Sequence, residues 1–241
     1  MQGAKVRLYV DHPLGAGQPV VPSRDQAHYL FNVMRLGPGA GLRLFNGRDG
    51  EWLARVVDAG KQGTLVGVEP LRPQAGPPDL WLLFAPVKKA RTDFIVEKAV
   101  EMGVARIQPV QTAHTNSERI RQDRLYAHAV EAAEQCGAMV VPEVSDLVSL
   151  DRLLANWPAD RRILWCDEAL VGAASALAGG ERGMPWAILI GPEGGFSEAE
   201  RKRLAAMPQV HAVSLGPRIL RADTAAVAAL ALWQAALGDW R

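Results

Sequence analysis

The chain reads as an α/β protein in two parts: a small N-terminal β-barrel carrying one helix, then a larger, mostly parallel sheet covered by helices. Three observations predict this. Short strand candidates separated by turn signals fill the first part, and strands alternate with helices through the second. Between them, four prolines fall within residues 69–78. Prolines that dense disfavour both helix and inner strand, so the stretch marks a boundary between domains at 1–72 and 73–241.

In the first part, residues 5–10, 42–45, 51–57 and 64–68 are strand candidates, and Asn46 followed by Gly47 is a strong turn signal between two of them. Ser23, with Gln26 three residues on, predicts a capped helix reaching Met34. In the second part, 80–84 reads as a buried strand and 92–102 as a helix closed by Gly103. Strands at 107–110, 161–166, 186–190 and 210–214 then alternate with helices at 123–136, 198–206 and 224–237. Strands separated by helical stretches imply a parallel sheet covered on both faces.

At 241 residues and 49% hydrophobic, the chain can bury one large core or two modest ones. No apolar run approaches the roughly 20 residues of a spanning helix, and residues 1–10 lack the apolar core of a signal peptide. A soluble cytoplasmic protein with no membrane partner is expected. Cys136 and Cys166 have no metal-ligand spacing and are expected to be buried free thiols. The histidines (His12, His28, His114, His128, His211) show none either, so no metal is expected and each reads as a surface or packing residue.

Charge is uneven. Residues 1–72 carry 9 Lys/Arg against 6 Asp/Glu, and the remainder 18 against 20. The basic first part fits RNA, though so small an excess also fits a solvated mixed surface. A second basic cluster, Lys88, Lys89 and Arg91, follows a strand end, and with Arg119, Arg121 and Arg124 could continue a phosphate-contacting track.

Two glycine-bearing loops each follow a strand and open a helix, at 188–197 and 214–225. An apolar strand that meets Gly-Pro cannot continue as sheet, and the glycines let backbone approach a ligand closely. Ser197 with Glu200 reads as a capping box. Open α/β sheets bind ligands at such strand ends. Residues 191–195 are neither a P-loop nor the spaced dinucleotide fingerprint, and Glu193 would repel a phosphate. A neutral or cationic ligand held by main-chain groups fits better.

Together the runs LIGPEGGF at 189–196 and LGPRILR at 215–221 resemble the cofactor signature of the SPOUT superfamily of S-adenosylmethionine-dependent RNA methyltransferases. More narrowly the chain resembles the RsmE family, which methylates N3 of one uridine in 16S ribosomal RNA. The segment from His28 to Arg35, with Leu36, Gly37, Pro38, Gly39 and then Leu44, Phe45, Asn46 and Gly47, is similar to that family's N-terminal domain. Lys88, Glu97, Lys98, the run EMGV at 101–104, Ile107, Pro109 and the run EAAEQ at 131–135 are similar to its central segment. The resemblance implies a PUA-like β-barrel, a SPOUT parallel sheet with a C-terminal trefoil knot, and S-adenosylmethionine as cofactor. It also implies 16S rRNA or the small ribosomal subunit as partner, and a homodimer.

Carried onto this chain, the resemblance puts the cofactor against Ile190, Gly191, Pro192, Glu193, Gly194, Leu215, Gly216, Ile219, Leu220 and Arg221, and RNA phosphates against Arg35 and Lys88, with Lys89 and Arg91 beside them. Methylating N3 requires loss of its proton and tolerance of charge on O2 and O4. Arg221 is the expected cation near the base, since a guanidinium can donate twice to a carbonyl-rich edge; a helix-cap or phosphate contact is its alternative. Glu193 and Asp223 are the carboxylates placed to take the proton, directly or through water, with an N-cap as the alternative for Asp223. Three departures stand out: Asp223 where Glu is usual, the run AHTN at 113–116 where a serine–arginine pair is common, and Ala138 where an arginine is common. The second and third leave the cofactor loops unchanged. A ribose 2′-O methyltransferase and a non-catalytic ribosome-assembly factor are the competing readings. Residues 224–237, apolar on more than one face, are expected to form the dimer interface.

Overall fold

A computed structural model describes residues 4–116, 120–167, 177 and 180–240. The chain divides into two compact units, Met1–Gly76 with Ala133–Val141, and Pro77–Ala132 with Pro142–Arg241.

The first unit is built on β1 (Arg7–Tyr9), β2 (Pro19–Val20), β3 (Gly41–Phe45), β4 (Glu51–Asp58) and β5 (Thr64–Arg72), in the order β1-β3-β4-β5-β2. β1 runs parallel to β3 and the other pairs are antiparallel. Register shifts along β4 and β5 increase the local twist and curl the sheet into a PUA-type barrel. Val6, Leu8, Leu42, Leu44, Ala54, Val56 and Leu65 fill its interior. The capping box on Ser23 is present and opens α1 (Arg24–Ala27). The helix then widens into a π-helical stretch, His28–Val33, which Arg35 ends in the left-handed region at φ +53°.

Residues 133–141 belong with this unit through bonds between side chains and main chain. Arg7 donates to the carbonyls of Ala133 and Ala138, Arg72 donates to that of Gly137 at 3.0 Å, and Glu134 accepts the Tyr9 N–H at 2.9 Å. The two arginines converge on the buried Glu51, at 2.5 Å from Arg7 and 2.7 Å from Arg72. Burial opposes the Glu51 charge, but the hydrogen bonds from Arg72 and Arg7 outweigh it and hold the carboxyl below its ordinary value.

The second unit alternates β6 (Leu80–Phe84), α2 (Lys89–Glu101), β7 (Arg106–Gln111), α3 (Gln122–Cys136), β8 (Glu143–Val144), β9 (Val148–Ser149) and α4 (Leu150–Ala155). It continues with β10 (Arg162–Cys166), β11 (Trp186–Ile190), α5 (Glu198–Ala205), β12 (Val210–Val213) and α6 (Ala222–Leu237). Every strand pair is parallel, in the order β12-β10-β11-β6-β7-β8, with β9 also on β7. This is the SPOUT-type sheet. All five residues of β11 are buried, which is why it reads as an unbroken apolar run. The knot implied by the resemblance depends on the path joining β10 to β11, most of which lies outside the described residues.

One lock holds α6 in place. Gln234, fully buried, donates to the Met102 carbonyl at 2.5 Å and accepts the Asp239 N–H at 3.0 Å. Gly103, at φ +71°, closes α2 just beneath, where a Cβ would fall 2.9 Å from the Gln234 amide. Cys166 is a buried free thiol, but Cys136 is exposed at the end of α3, a correction to the expectation that both are buried. The helix positions facing the core end one turn earlier, at Ala132 and Ala133.

Candidate active site

Register brings the two glycine loops together. Cys166, the last residue of β10, is the partner of Ile190 on one side and of Val213 on the other. Three strands therefore end level, and the loops that leave them enclose a cleft at their carboxyl ends. It measures about 360 Å³ and is lined by Cys166 at the end of β10 and Asp167 just after it, Ile190 to Glu193 from the first loop, and Ser214 to Gly216, Arg218 to Ala222 and Ala225 from the second loop and α6. That volume lies in the small-ligand range.

In the first loop, Gly195 N–H donates to the Pro192 carbonyl at 2.9 Å and closes the turn. A Cβ on Gly191 would lie 2.7 Å from the Phe196 ring, which packs beneath it. The Ser197–Glu200 capping box is complete, and the second Glu200 oxygen accepts the Ala113 N–H at 2.8 Å. Glu193 is ion-paired with Arg91, half exposed at the cleft wall. Gly194 does not line the cleft: its carbonyl lies 2.9 Å from His114 Nδ1, and a Cβ there would meet His114 at 3.2 Å.

In the second loop, Gly216 has φ +118° and a Cβ there would meet open space. Conformation and not protein crowding requires glycine at this point. Ser214 Oγ accepts the Gly216 N–H at 3.3 Å and donates to its carbonyl at 3.1 Å, fixing the bend. Ile219 is 84% exposed. Arg221 is the N-cap residue of α6, extended at φ −67° and ψ 154°, and its side chain makes no capping bond. Asp223 is therefore in the first helical turn and not at the cap. Its carboxylate accepts the Thr224 N–H at 3.1 Å and it is absent from the cleft lining. A carboxylate there favours the helix dipole.

Asp167 was not singled out from the sequence. It is a buried carboxylate on the cleft wall, ion-paired with Arg201, which also donates to the Phe196 carbonyl at 3.1 Å. The one available signal was an acid directly after an apolar strand. Beside it, burial pushes the Cys166 thiol up to about 12, so it stays protonated and inert.

The basic cluster lies at the start of α2. Lys88 is its N-cap residue, Lys89 and Arg91 are in the first turn, and no acid accompanies them there. Cations at a helix N-terminus oppose the dipole by about 0.3–1 kcal/mol each. Lys88 and Lys89 are exposed, whereas Arg91 is held by Glu193. Arg121 pairs with Asp123, and Arg124 with Asp93, so neither extends an unpaired track; Arg119 lies outside the described residues. Arg35, in the first unit, is exposed. Among the described residues no His/Cys/Asp/Glu cluster is placed to hold a metal, and no helix is long and apolar enough to cross a membrane.

Residues 75–234 match the RNA methyltransferase domain family, and residues 22–69 the RNA methyltransferase PUA domain. The ribosomal RNA small subunit methyltransferase E of Rickettsia conorii is 31% identical over 234 residues, 93% of each chain. The crystal structure of a ribosomal RNA small subunit methyltransferase E from Neisseria gonorrhoeae bound to S-adenosyl methionine superposes with a TM-score of 0.88 at 27% identity, over 98% of this chain and 99% of that one. A Legionella pneumophila protein solved in complex with the bound cofactor SAM gives 0.87 at 29% identity, with the same coverage. The chain belongs to the ribosomal RNA small subunit methyltransferase E family of RNA methyltransferases.

Proposed function

We propose that this protein uses S-adenosylmethionine to methylate N3 of one uridine in the 16S rRNA of the small ribosomal subunit. The observation that carries the reading is the cleft at the level ends of β10, β11 and β12, walled by the main chain of two glycine loops. The residues fit the cofactor. Gly216 exposes bare backbone to the cleft, and the lining includes two acids, Asp167 and Glu193, each also paired with an arginine, and no phosphate-type loop. Ile190, Gly191, Pro192, Glu193, Leu215, Gly216, Ile219, Leu220 and Arg221 would hold it, with Gly194 backing the first loop. Bound there, S-adenosylmethionine supplies an electrophilic methyl group.

The remaining work falls to side chains. Arg221, on the wall, stabilises charge developing on O2 and O4 of the uracil. Arg35, Lys88 and Lys89 take RNA phosphates and position the strand. Of the carboxylates nominated for the N3 proton, Glu193 is shared with Arg91, and Asp223 is not among the residues lining the cleft. A homodimer is part of the same reading. α6 buries Ala222, Ala226, Ala229, Leu230, Trp233 and Leu237, yet its opposite face leaves Ala235, Ala236 and Leu232, the last 51% exposed. A second copy would cover that face. The protein then works in the cytoplasm, where ribosomal subunits are.

Labelled S-adenosylmethionine incubated with the protein and small subunits lacking the modification tests this. Label in 16S rRNA is expected; no transfer would leave a binding protein with an unused cleft.

A further inference from the structure

The N3 proton must leave as the nitrogen reacts, and both nominated carboxylates already hold partners. Glu193 is engaged by Arg91, and Asp223 is bonded to the Thr224 N–H off the cleft wall. We propose that His114 Nε2 accepts this proton, an assignment that rests on the uridine-N3 reading above.

The loop carrying His114 is held by one bond within itself, one to α5 and one to the first glycine loop. Thr115 Oγ1 accepts the Thr112 N–H at 2.9 Å, Glu200 accepts the Ala113 N–H at 2.8 Å, and His114 Nδ1 lies 2.9 Å from the Gly194 carbonyl oxygen. A carbonyl oxygen can only accept. The hydrogen of the neutral ring is therefore on Nδ1, and Nε2 keeps a bare lone pair. That is the tautomer a general base needs, fixed by main chain instead of by a carboxylate. Gly194 directly follows Glu193, which lines the cleft, so the exposed imidazole, itself outside the lining, is bonded to the residue next to a wall residue. Glycine at 194 permits the approach, since a Cβ would already lie 3.2 Å from that of His114. The charged groups about it are the Glu193–Arg91 pair and Glu200, the last committed to Ala113 and Ser197.

In the step, the N3–H bond breaks and its proton passes to Nε2, leaving an imidazolium whose Nδ1–H still bonds Gly194. The N3 electron pair forms the bond to the methyl carbon, and the methyl–sulfur bond breaks with its pair going to sulfur. The imidazolium then returns its proton to water, so the net products are the N-methylated base, the thioether and one proton.

The test compares wild type with His114→Asn and His114→Ala on small subunits carrying uracil or 5-fluorouracil, whose N3–H is more acidic. Asparagine can still donate to the Gly194 carbonyl but is no base. Both variants are expected to lose about 100-fold in kcat on uracil with cofactor affinity unchanged by calorimetry. The deficit should shrink about tenfold on 5-fluorouracil, where less base strength is needed, and added imidazole should restore part of the His114→Ala rate. Nitrogen-15 NMR of the cofactor-free protein should find hydrogen on Nδ1. Wild-type turnover in His114→Asn, an equal deficit on both substrates, or hydrogen on Nε2 would overturn the assignment. A wild-type product lacking N3-methyluridine would instead sink the parent reading, and the proposal with it.

Discussion

The Glu193 carboxylate is ion-paired with the Arg91 guanidinium, joining the first glycine loop to the first turn of α2. The contact changes what both residues can do. Arg91 is no longer a spare cation for RNA, and Glu193 is no longer an uncommitted base. Replacing Lys88 or Lys89 with alanine should reduce the salt dependence of RNA binding by about one ion each. Arg91→Ala should change that slope less than either. Binding isotherms across a range of salt concentrations check this, and an equal effect at all three would mean that the pair opens on RNA. For stability the pair counts for little, about 0–1 kcal/mol, because both groups are partly exposed.

Glycine 216 gives a direct handle on the cofactor cleft. At φ +118° a side chain is strained by about 1–3 kcal/mol, and it would project into the cleft proposed for the cofactor. Gly216→Val should abolish S-adenosylmethionine binding in calorimetry. Gly194→Val should instead displace His114, so its loss of methyl transfer is expected to exceed its loss of cofactor affinity. Undiminished cofactor binding in Gly216→Val would remove this cleft as the site.

Acid sensitivity should concentrate on Glu51. Its folded carboxyl is held low by Arg72 and Arg7 against the cost of burial. The stabilisation is thus fully present above the unfolded value of about 4.3 and is lost as pH falls through the lower folded value. Removing one partner of a buried pair costs about 3 kcal/mol, and Glu51 is nearly inaccessible. Glu51→Gln should therefore lower stability by that order near neutral pH and flatten the acid limb of the stability profile. Denaturant titrations at several pH values test both halves.

Much of this architecture was legible because its signals are local. The capping boxes at Ser23 and Ser197 need only a hydroxyl and a partner three residues on, and both are present. The 186–190 run stood out because a strand buried on both faces is continuously apolar. What escaped depends on distant residues. β8 and β9 have two residues each, too short for any period, and α4 has only six. The π-helical widening at His28–Val33 shifts backbone bonding without changing composition. At the site, the loop residues around Ile190 and Gly216 were readable, whereas Asp167, the Arg91–Glu193 pair and the His114–Gly194 bond join segments that only the sheet register brings together.

The outer face of α6 is the proposed dimer interface. Leu232→Glu places a charge on that exposed apolar surface without touching the buried stripe. It should convert a dimer into a monomer in light scattering at micromolar concentration, with cofactor binding assayed alongside. A wild-type protein that is already monomeric would refute the interface.

Arg221 distinguishes catalysis from grip. Arg221→Ala should cut kcat on saturating small subunits by about 100-fold, since in the proposed role its contact strengthens as charge develops on the uracil. If turnover at saturation is retained and only the RNA requirement rises, the residue is a phosphate contact.

Nucleoside mass spectrometry of 16S rRNA from small subunits treated with the protein and S-adenosylmethionine tests the central claim most directly. One uridine should appear as N3-methyluridine, and the Gly216→Val protein should leave it unmodified. A methyl group on a ribose 2′-oxygen, or none at all, would contradict the account.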